Sequence, residues 1–366
     1  MILASFAVVI WLGLLGWPDR AWQMRERLES NPESTLGERV TVLMPARNEE
    51  AVLRCSLDAL ANQRVPLKIW ILNDGSTDRT REVALATHAS NLEVLDIPSL
   101  PPGWSGKLWA LEQGFARVTT NWILLLDADI ALARGILPTL LVKAECENLD
   151  LLSIMATPAR HGFWDRWLMP VFIYFFKWLY PFHRSNDPQS RVAAAAGGCL
   201  LVKRETLAQV GGFAALRAAV IDDCTLARLV KQKGFRIWIG VSRSVVMLRD
   251  HSFRQIWDMV ARTAFTQLKY SYLALAGTLL GLGVIFAIPP ILVLSGSRLG
   301  ALIAGCSWIL MTLSYAPTAR YYDESPFVGL FLPLAAMLFC MMSLDSALRY
   351  ALGTRSRWKG RSYGRT

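Results

Sequence analysis

The sequence predicts an α/β domain whose sheet is covered by helices on both faces, flanked at both ends by apolar, membrane-spanning segments. Three observations lead there. Short β-rich runs alternate with helical segments between residues 40 and 155, polar residues stand just beyond the ends of those runs, and long uncharged stretches occupy the termini. Strands separated by helices pair in parallel and are buried on both faces.

The 366 residues allow one catalytic domain of about 230 residues plus further elements. The composition, 53% hydrophobic with 19% charged and a mean hydropathy of +0.31, is too apolar for an ordinary soluble enzyme. The apolar excess lies in four runs, 1–17, 273–297, 299–318 and 327–348, each close to or above the roughly 20 residues a bilayer core requires, or a little short of it. The expected organisation is an N-terminal anchor (1–17), a catalytic domain (38–270), about three C-terminal spans (273–348) and a basic tail (349–366). The first run has the alternative of a cleaved signal peptide. It lacks a basic n-region and a small-x-small site before Pro18, which favours an uncleaved anchor.

A net charge of +10 raises the question of nucleic acid. The basic residues form no stripe with interleaved aromatics. Arg20, Arg25 and Arg27 follow the first run, and Arg355, Arg357, Lys359, Arg361 and Arg365 follow the last. That placement suits anionic lipid headgroups and excludes nucleic acid as the expected partner. Six scattered cysteines without a C-x-x-C pair argue against a zinc site or disulfide framework. Positive residues after the first run place the globular part in the cytoplasm, at a bacterial inner membrane. Three further spans would then put the basic tail outside, against the charge rule, unless one C-terminal run is re-entrant. The run interrupted by Pro289-Pro290 is the candidate.

Residues 40–44 read as a buried strand, and Leu53, Leu57 and Leu60 as the stripe of a helix packed on a sheet. Strands follow at 68–72, 92–95 and 122–126, with a helix over 107–117. Segment 163–182 holds ten aromatics and three charges. It is either a buried helix or, the preferred reading, a segment at the membrane interface with its rings at headgroup depth. Residues 193–202 turn through small residues into another strand, and 222–233 is a helix ending at Gly234.

In such sheets ligands sit beyond the carboxyl ends of strands. Asp127-Ala128-Asp129 follows an apolar strand and can hold Mg²⁺ or Mn²⁺ together with a diphosphate. An isolated D-x-D is more often a solvated turn; the strand end is what raises its meaning. Asp74, in Asn73-Asp74-Gly75-Ser76-Thr77-Asp78, can accept hydrogen bonds from a base or ribose, while Ser76 or Asp78 can cap a helix. Pro45, Arg47, Asn48 and Glu49 follow the first strand and reach the same nucleotide. Lys107 opens a helix after Gly106, where phosphate oxygens bind, although a solvated loop lysine is the bland alternative. Asp222 and Asp223 follow the apolar residues 218–221; one can serve as a general base, or the pair can simply favour a helix N-terminus. His251 is a further candidate metal ligand, though a lone histidine is more often structural.

Taken together, VTVLMPARNEE (40–50), NDGSTD (73–78), GWSGKLWAL (103–111), LLLDAD (124–129) and IDD (221–223) resemble family 2 glycosyltransferases of the GT-A fold, a Rossmann-like mixed sheet flanked by helices. The likeness covers roughly residues 38–270. Within that family the chain looks like the hopene-associated glycosyltransferases of bacterial hopanoid biosynthesis, through FFKWLYPF (175–182), AAAAGGCLLV (193–202), IDDCTLARLVKQKG (221–234) and MVARTAFTQLKYS (259–271). Ceramide glucosyltransferases are more distantly similar. The resemblance implies an inverting, metal-dependent transfer of one sugar from a nucleotide-sugar donor, a UDP-sugar being favoured, to a membrane lipid. Asp74 would bind the nucleotide, Asp127 and Asp129 the metal and diphosphate, and Asp223 would be the base. Where relatives carry Q/R-x-x-R-W, this chain has 259–263 (MVART). Arg262 would keep the arginine's role on the diphosphate, but the missing Trp counts against a processive polymer synthase. Two other readings compete. A GT-A nucleotidyltransferase would need a glycine-rich turn that 44–50 lacks, and a non-catalytic scaffold would not need Asp127, Asp129 and Asp223 together.

Overall fold

The computed structural model describes residues 2–33, 39–87, 91–294, 297–353, 356–358 and 361–363. Of the predicted basic tail, Arg355, Lys359 and Arg365 lie outside the described residues, and Arg357 and Arg361 are described in backbone only, as part of a two-stranded hairpin. Contacts divide the chain into two compact units. One comprises Glu26–Ala159 and Phe182–Arg249; the other comprises Met1–Arg25, Arg160–Pro181 and Asp250–Thr366.

The first unit is built on an eight-stranded sheet. Its strands are β1 (Val40–Ala46), β2 (Leu67–Asn73), β3 (Leu92–Asp96), β4 (Trp122–Leu126), β5 (Ile130–Leu132), β6 (Leu151–Thr157), β7 (Cys199–Lys203) and β8 (Ile237–Met247), in the order β3-β2-β1-β4-β7-β6-β8-β5. The strands β3, β2, β1 and β4 are mutually parallel, as the alternation predicts. The other half is mixed: β7 runs antiparallel to β4 and β6, and β5 antiparallel to β8. Alternation in sequence cannot reveal that reversal, because helices also lie between β6 and β7 and strand direction is set by pairing. Its consequence is local. The first residues of β7 reach the same edge as the last residues of β1, β2 and β4, with Cys199 opposite Leu126.

Helices cover both faces. Leu53, Leu57 and Leu60 of the helix Leu53–Ala61 pack with Val42, Met44, Leu124 and Leu126 on one side of the sheet. On the other, Leu108 and Leu111 of the helix Gly106–Phe115 pack with Leu43, Leu72 and Leu125. Gly114 allows that second helix its approach. A Cβ there would stand 3.0 Å from both Leu72 methyls and 3.1 Å from a Leu43 methyl.

The second unit is helical. Its first helix, Ile2–Gly16, has 15 residues. At about 1.5 Å per residue it spans roughly 22 Å, short of the roughly 30 Å hydrocarbon layer, so the expected N-terminal span is instead a short apolar helix. It stops because the chain turns at Pro18-Asp19. Ala4, Ala7 and Trp11 are buried, and the Trp11 indole donates to the Ile285 carbonyl at 3.1 Å. Three stretches are long and apolar enough to cross a membrane: Tyr272–Val293, Arg298–Tyr321 and Pro326–Ala351. The first runs through Pro289-Pro290 without a break. A π-helical turn at Gly283–Ala287 precedes the prolines and absorbs the register change that their missing N–H groups impose.

The aromatic segment forms the helix Phe163–Leu179. Leu168, Val171, Ile173 and Tyr174 are buried, and the Tyr174 hydroxyl lies 2.7 Å from Ser314 Oγ. Its N-terminal end is different: Phe163 is 68% exposed, and Trp164 packs on Phe253 with centroids 4.7 Å apart. The middle of the segment is thus a buried helix, as one of the two expectations had it, and its first turn is exposed.

Overpacking a tight core contact of this kind costs about 1–3 kcal/mol. Gly114→Val is expected to lower the unfolding free energy by about that amount, read as a shifted denaturant midpoint with an unchanged slope; an unshifted midpoint would show that the helix can move away from the sheet.

Candidate active site

The site is assembled at the edge where β1, β2 and β4 end and β7 begins. The turn after β4 carries Asp127, whose N–H donates to the Gly198 carbonyl at 3.0 Å, while Ser56 Oγ donates to the Ala128 carbonyl at 2.7 Å. The loop preceding the helix Gly106–Phe115 turns through Gly103 at φ +82°, and Ser105 caps the helix by accepting from the Leu108 N–H. Lys107, in that first turn, places Nζ 2.6 Å from Asp127 Oδ1. The side chains of Lys107 and Asp127 are 23% and 35% exposed, so the pair is accessible from solvent.

Asp222 and Asp223 open the helix Asp222–Gln232. Asp223 is fixed by two amides: Gly197 N–H donates to Oδ2 at 2.9 Å and Cys224 N–H to Oδ1 at 2.7 Å. The dipeptide Gly197-Gly198 thus grips Asp223 through its first residue and Asp127 through its second. A Cβ on Gly197 would lie 3.3 Å from Asp223 Oδ2 and 3.6 Å from Lys107 Nζ, so the carboxylate would have to give by a few tenths of an ångström. Pro45, Lys107, Asp127, Gly197, Asp222 and Asp223 line one pocket, above an apolar floor that includes Leu108 and Phe213.

The charges are unbalanced. Burial pushes Asp223 up to about 6, and the Asp222 carboxylate adds to that rise against the Cys224 amide and Lys107. Asp127 is also raised by burial; Lys107 opposes the rise, and Asp129 and Asp222 reinforce it. Burial works against the Lys107 charge, but Asp127, Asp222 and Asp223 outweigh it and raise its pKa. One ammonium therefore answers a group of four carboxylates. Among the described residues no three His, Cys, Asp or Glu side chains converge as a complete metal cage. A hard cation that takes one or two carboxylates plus phosphate oxygens would fit this donor set.

The remaining candidates divide. Arg47 donates to the Asp74 carbonyl at 2.6 Å, and Nη1 lies 3.8 Å from Oδ2 of the buried Asp74. Asn48, at φ +55°, accepts from Thr77 N–H at 2.8 Å, and Asp78 accepts from Glu50 N–H and Thr80 N–H. These bonds join the turns after β1 and β2 into one wall, so Arg47 and Asn48 shape the place where Asp74 stands. Glu49 is buried, with its carboxylate 2.6 Å from Arg249 Nη2. His251 and Arg262 belong to the helical unit. His251 Nδ1 lies 2.8 Å from Oδ1 of the fully buried Asp165, which also accepts from the His251 and Arg160 amides. Arg262 lies on the helix Phe253–Gln267, next to the buried Ala261. Sequence reasoning missed Gly197 and Gly198 as parts of the site. The only signal was a glycine pair immediately before an apolar strand.

Asp223 ordinarily titrates near 3.8, so between about pH 4 and 6 the folded chain holds a proton there that the unfolded chain has released. Stability from this group falls as pH rises through that window. The melting temperature of Asp223→Asn, measured relative to the unmodified protein, is therefore expected to rise from pH 4 to 6; a flat difference would place the native pKa near its ordinary value.

Comparison with known proteins agrees with this geometry. Residues 41–211 match the family model for glycosyl transferase family 2. Over 95 residues the chain is 38% identical to 4,4'-diaponeurosporenoate glycosyltransferase of Staphylococcus aureus, covering 26% of this chain and 25% of that protein. The chain thus aligns with about a quarter of the length of the curated relatives it matches. In structure it is similar to a mannosyltransferase from Pyrobaculum calidifontis, solved with GDP-mannose and Mn²⁺, with a TM-score of 0.60 at 16% identity over 96% of this chain and 99% of that one. The mixed sheet flanked by helices has the GT-A fold, and residues 41–211 are similar to the family 2 glycosyl transferases.

Proposed function

We propose that this protein transfers a single sugar, with inversion, from a nucleotide-sugar donor to a lipid acceptor at a membrane. The observation that carries the reading is the convergence of Asp127, Lys107 and Asp223 at one sheet edge, in one pocket. Lys107 and Asp74 would hold the donor, Lys107 through its diphosphate and Asp74 through its nucleoside, on the wall that Arg47 and Asn48 stabilise. Asp223, half-buried and with its pKa raised towards neutrality, is suited to take the proton of an acceptor hydroxyl as that oxygen attacks the anomeric carbon. The bond to the diphosphate breaks in the same step, so no sugar is carried on the protein. A divalent cation at Asp127 and Asp129 would supply charge neutralisation for the leaving diphosphate. Arg262 is proposed as a further diphosphate contact and His251 as an additional metal ligand.

The lipid acceptor is supported by the three helices of membrane-crossing length among the described residues and by the name of the Staphylococcus aureus relative, a 4,4'-diaponeurosporenoate glycosyltransferase. The sequence likeness to hopene-associated enzymes makes a polycyclic hopanoid-type lipid the preferred acceptor. A UDP-sugar is the preferred donor, with GDP-sugars next. The exposed aromatic end around Phe163 and Trp164 suits headgroup depth, consistent with a multi-pass protein of the bacterial inner membrane whose catalytic domain faces the cytoplasm.

If the cation bridges protein and donor, EDTA should reduce donor affinity at least tenfold in calorimetric titration, with recovery on adding Mn²⁺ or Mg²⁺. Full binding in chelator would remove Asp127 and Asp129 from the metal role.

The deciding experiment offers the detergent-purified protein a panel of UDP- and GDP-sugars, with Mn²⁺ or Mg²⁺ and total lipid from a hopanoid-producing membrane. Mass spectrometry is expected to find a hexose-shifted lipid, lost at least a hundredfold in Asp223→Asn. Turnover that survives in Asp223→Asn would refute the base assignment, and no turnover of any donor would favour the scaffold reading.

A further inference from the structure

The stretch Ala194–Gly197 has an unusual set of partners. Strand pairing between β6 and β7 ends at Ile154 opposite Cys199, so the residues just before Cys199 lack a ladder partner on that side. Buried backbone groups need partners all the same. Here side chains supply them, one residue after another. Ser185 Oγ accepts from Ala194 N–H at 2.9 Å, and Cys224 Sγ donates to the Ala195 carbonyl at 3.4 Å. Ser153 Oγ accepts from Ala196 N–H at 2.7 Å and lies 3.0 Å from the Ala196 carbonyl oxygen, to which it donates. The next amide, Gly197 N–H, is the one that holds Asp223.

Ser153 stands out within this set. With Thr157 it is one of two polar residues in a wholly buried strand, LLSIMAT, and is itself fully buried. A hydroxyl there has a desolvation cost that only its hydrogen bonds offset. Both of those bonds go to Ala196. Ser185 is likewise fully buried, and Cys224 nearly so. Lys231 secures the chain just upstream, with Nζ donating to the carbonyls of Ser185 and Val192, each at 2.7 Å.

We infer that Ser153 is a positioning residue for catalysis: through Ala196 it fixes the Gly197 amide, and through that amide the orientation of the Asp223 carboxylate. This rests on the reading of Asp223 as the base. Removal of the Ser153 hydroxyl frees Ala196, the Gly197 N–H loses its aim, and the carboxylate can rotate about its remaining bond to Cys224 N–H. Ser153 and Ala196 are not among the residues that line the pocket with Lys107 and Asp127, so the effect falls on turnover.

The test measures hydrolysis of UDP-glucose and GDP-mannose by the full-length, detergent-purified protein with Mn²⁺, water serving as acceptor, alongside calorimetric donor affinity. For the donor that turns over, Ser153→Ala is expected to lower kcat at least tenfold, with KM and Kd changed less than threefold. Ser153→Thr, which keeps the hydroxyl, is expected to recover kcat to within threefold of the unmodified protein. A folded Ser153→Ala with kcat within twofold would overturn the inference, as would a loss confined to KM. An equal kcat loss in Ser153→Thr would overturn it too. If Ser153→Ala does not fold, Cys224→Ala, which removes the Sγ contact to the Ala195 carbonyl, is read by the same criteria. Asp223→Asn in the same assay separates the two levels. Full activity in that variant defeats the base reading itself, whereas its inactivity beside an active Ser153→Ala defeats only the positioning role. An unmodified chain that turns over neither donor removes both.

Discussion

The excess of negative charge at one sheet edge is the constraint on which the site depends. Three carboxylates act on Lys107, a fourth acts on Asp127, and burial raises the cost of keeping Asp127 and Asp223 ionised. A protein that had only to be stable would replace such a group with apolar side chains, since buried ion pairs seldom repay their desolvation. The arrangement is intelligible if the missing positive charge arrives with a ligand. Local strain or charge of this sort is a recurrent property of functional sites and is offset by the rest of the fold. Here the offset is the packed sheet beneath: β1, β4 and β7 are buried along nearly their whole length, and they hold the ends from which the carboxylates project.

How much of this could be read in the sequence depended on whether the information was local. Asp74 and Asp127 follow directly on apolar strands, so their place at the carboxyl edge was visible in the pattern. The helix carrying Asp223 was visible in its periodicity and in Gly234. Gly197 was not, because its role follows from the reversal of β7, and strand direction is a property of pairing that no periodicity encodes. Ser153 was hidden for the same reason. Inside an apolar run it reads as a tolerated small residue until the chain that departs from β7 is seen to rest on it. His251 illustrates the opposite limit: its nearest partner, Asp165, is 86 positions away in sequence.

Length was the other quantity that composition overestimated. The N-terminal run counts 17 apolar residues, but the helix is two residues shorter, and its Ala4–Ala7–Trp11 face is committed to other helices of its own unit. Hydropathy averages cannot separate a side chain buried against protein from one facing lipid, and that distinction decides whether a short helix needs to cross anything. The aromatic helix Phe163–Leu179 poses the same ambiguity: it has buried side chains towards the middle and exposed rings at the start.

The bond from the Trp11 indole to the Ile285 carbonyl also has a consequence in time. The first helix leaves the ribosome about 270 residues before the turn that receives it. At the usual 5–20 residues per second that interval is on the order of 15 to 60 s. Throughout it an apolar helix with Phe6, Val9 and Leu12 on one side, and its own unfilled packing face on the other, must be sheltered by lipid, by the insertion machinery or by a chaperone. A helix made early thus waits on a partner made late, and the order of synthesis sets how long its packing face stays unfilled.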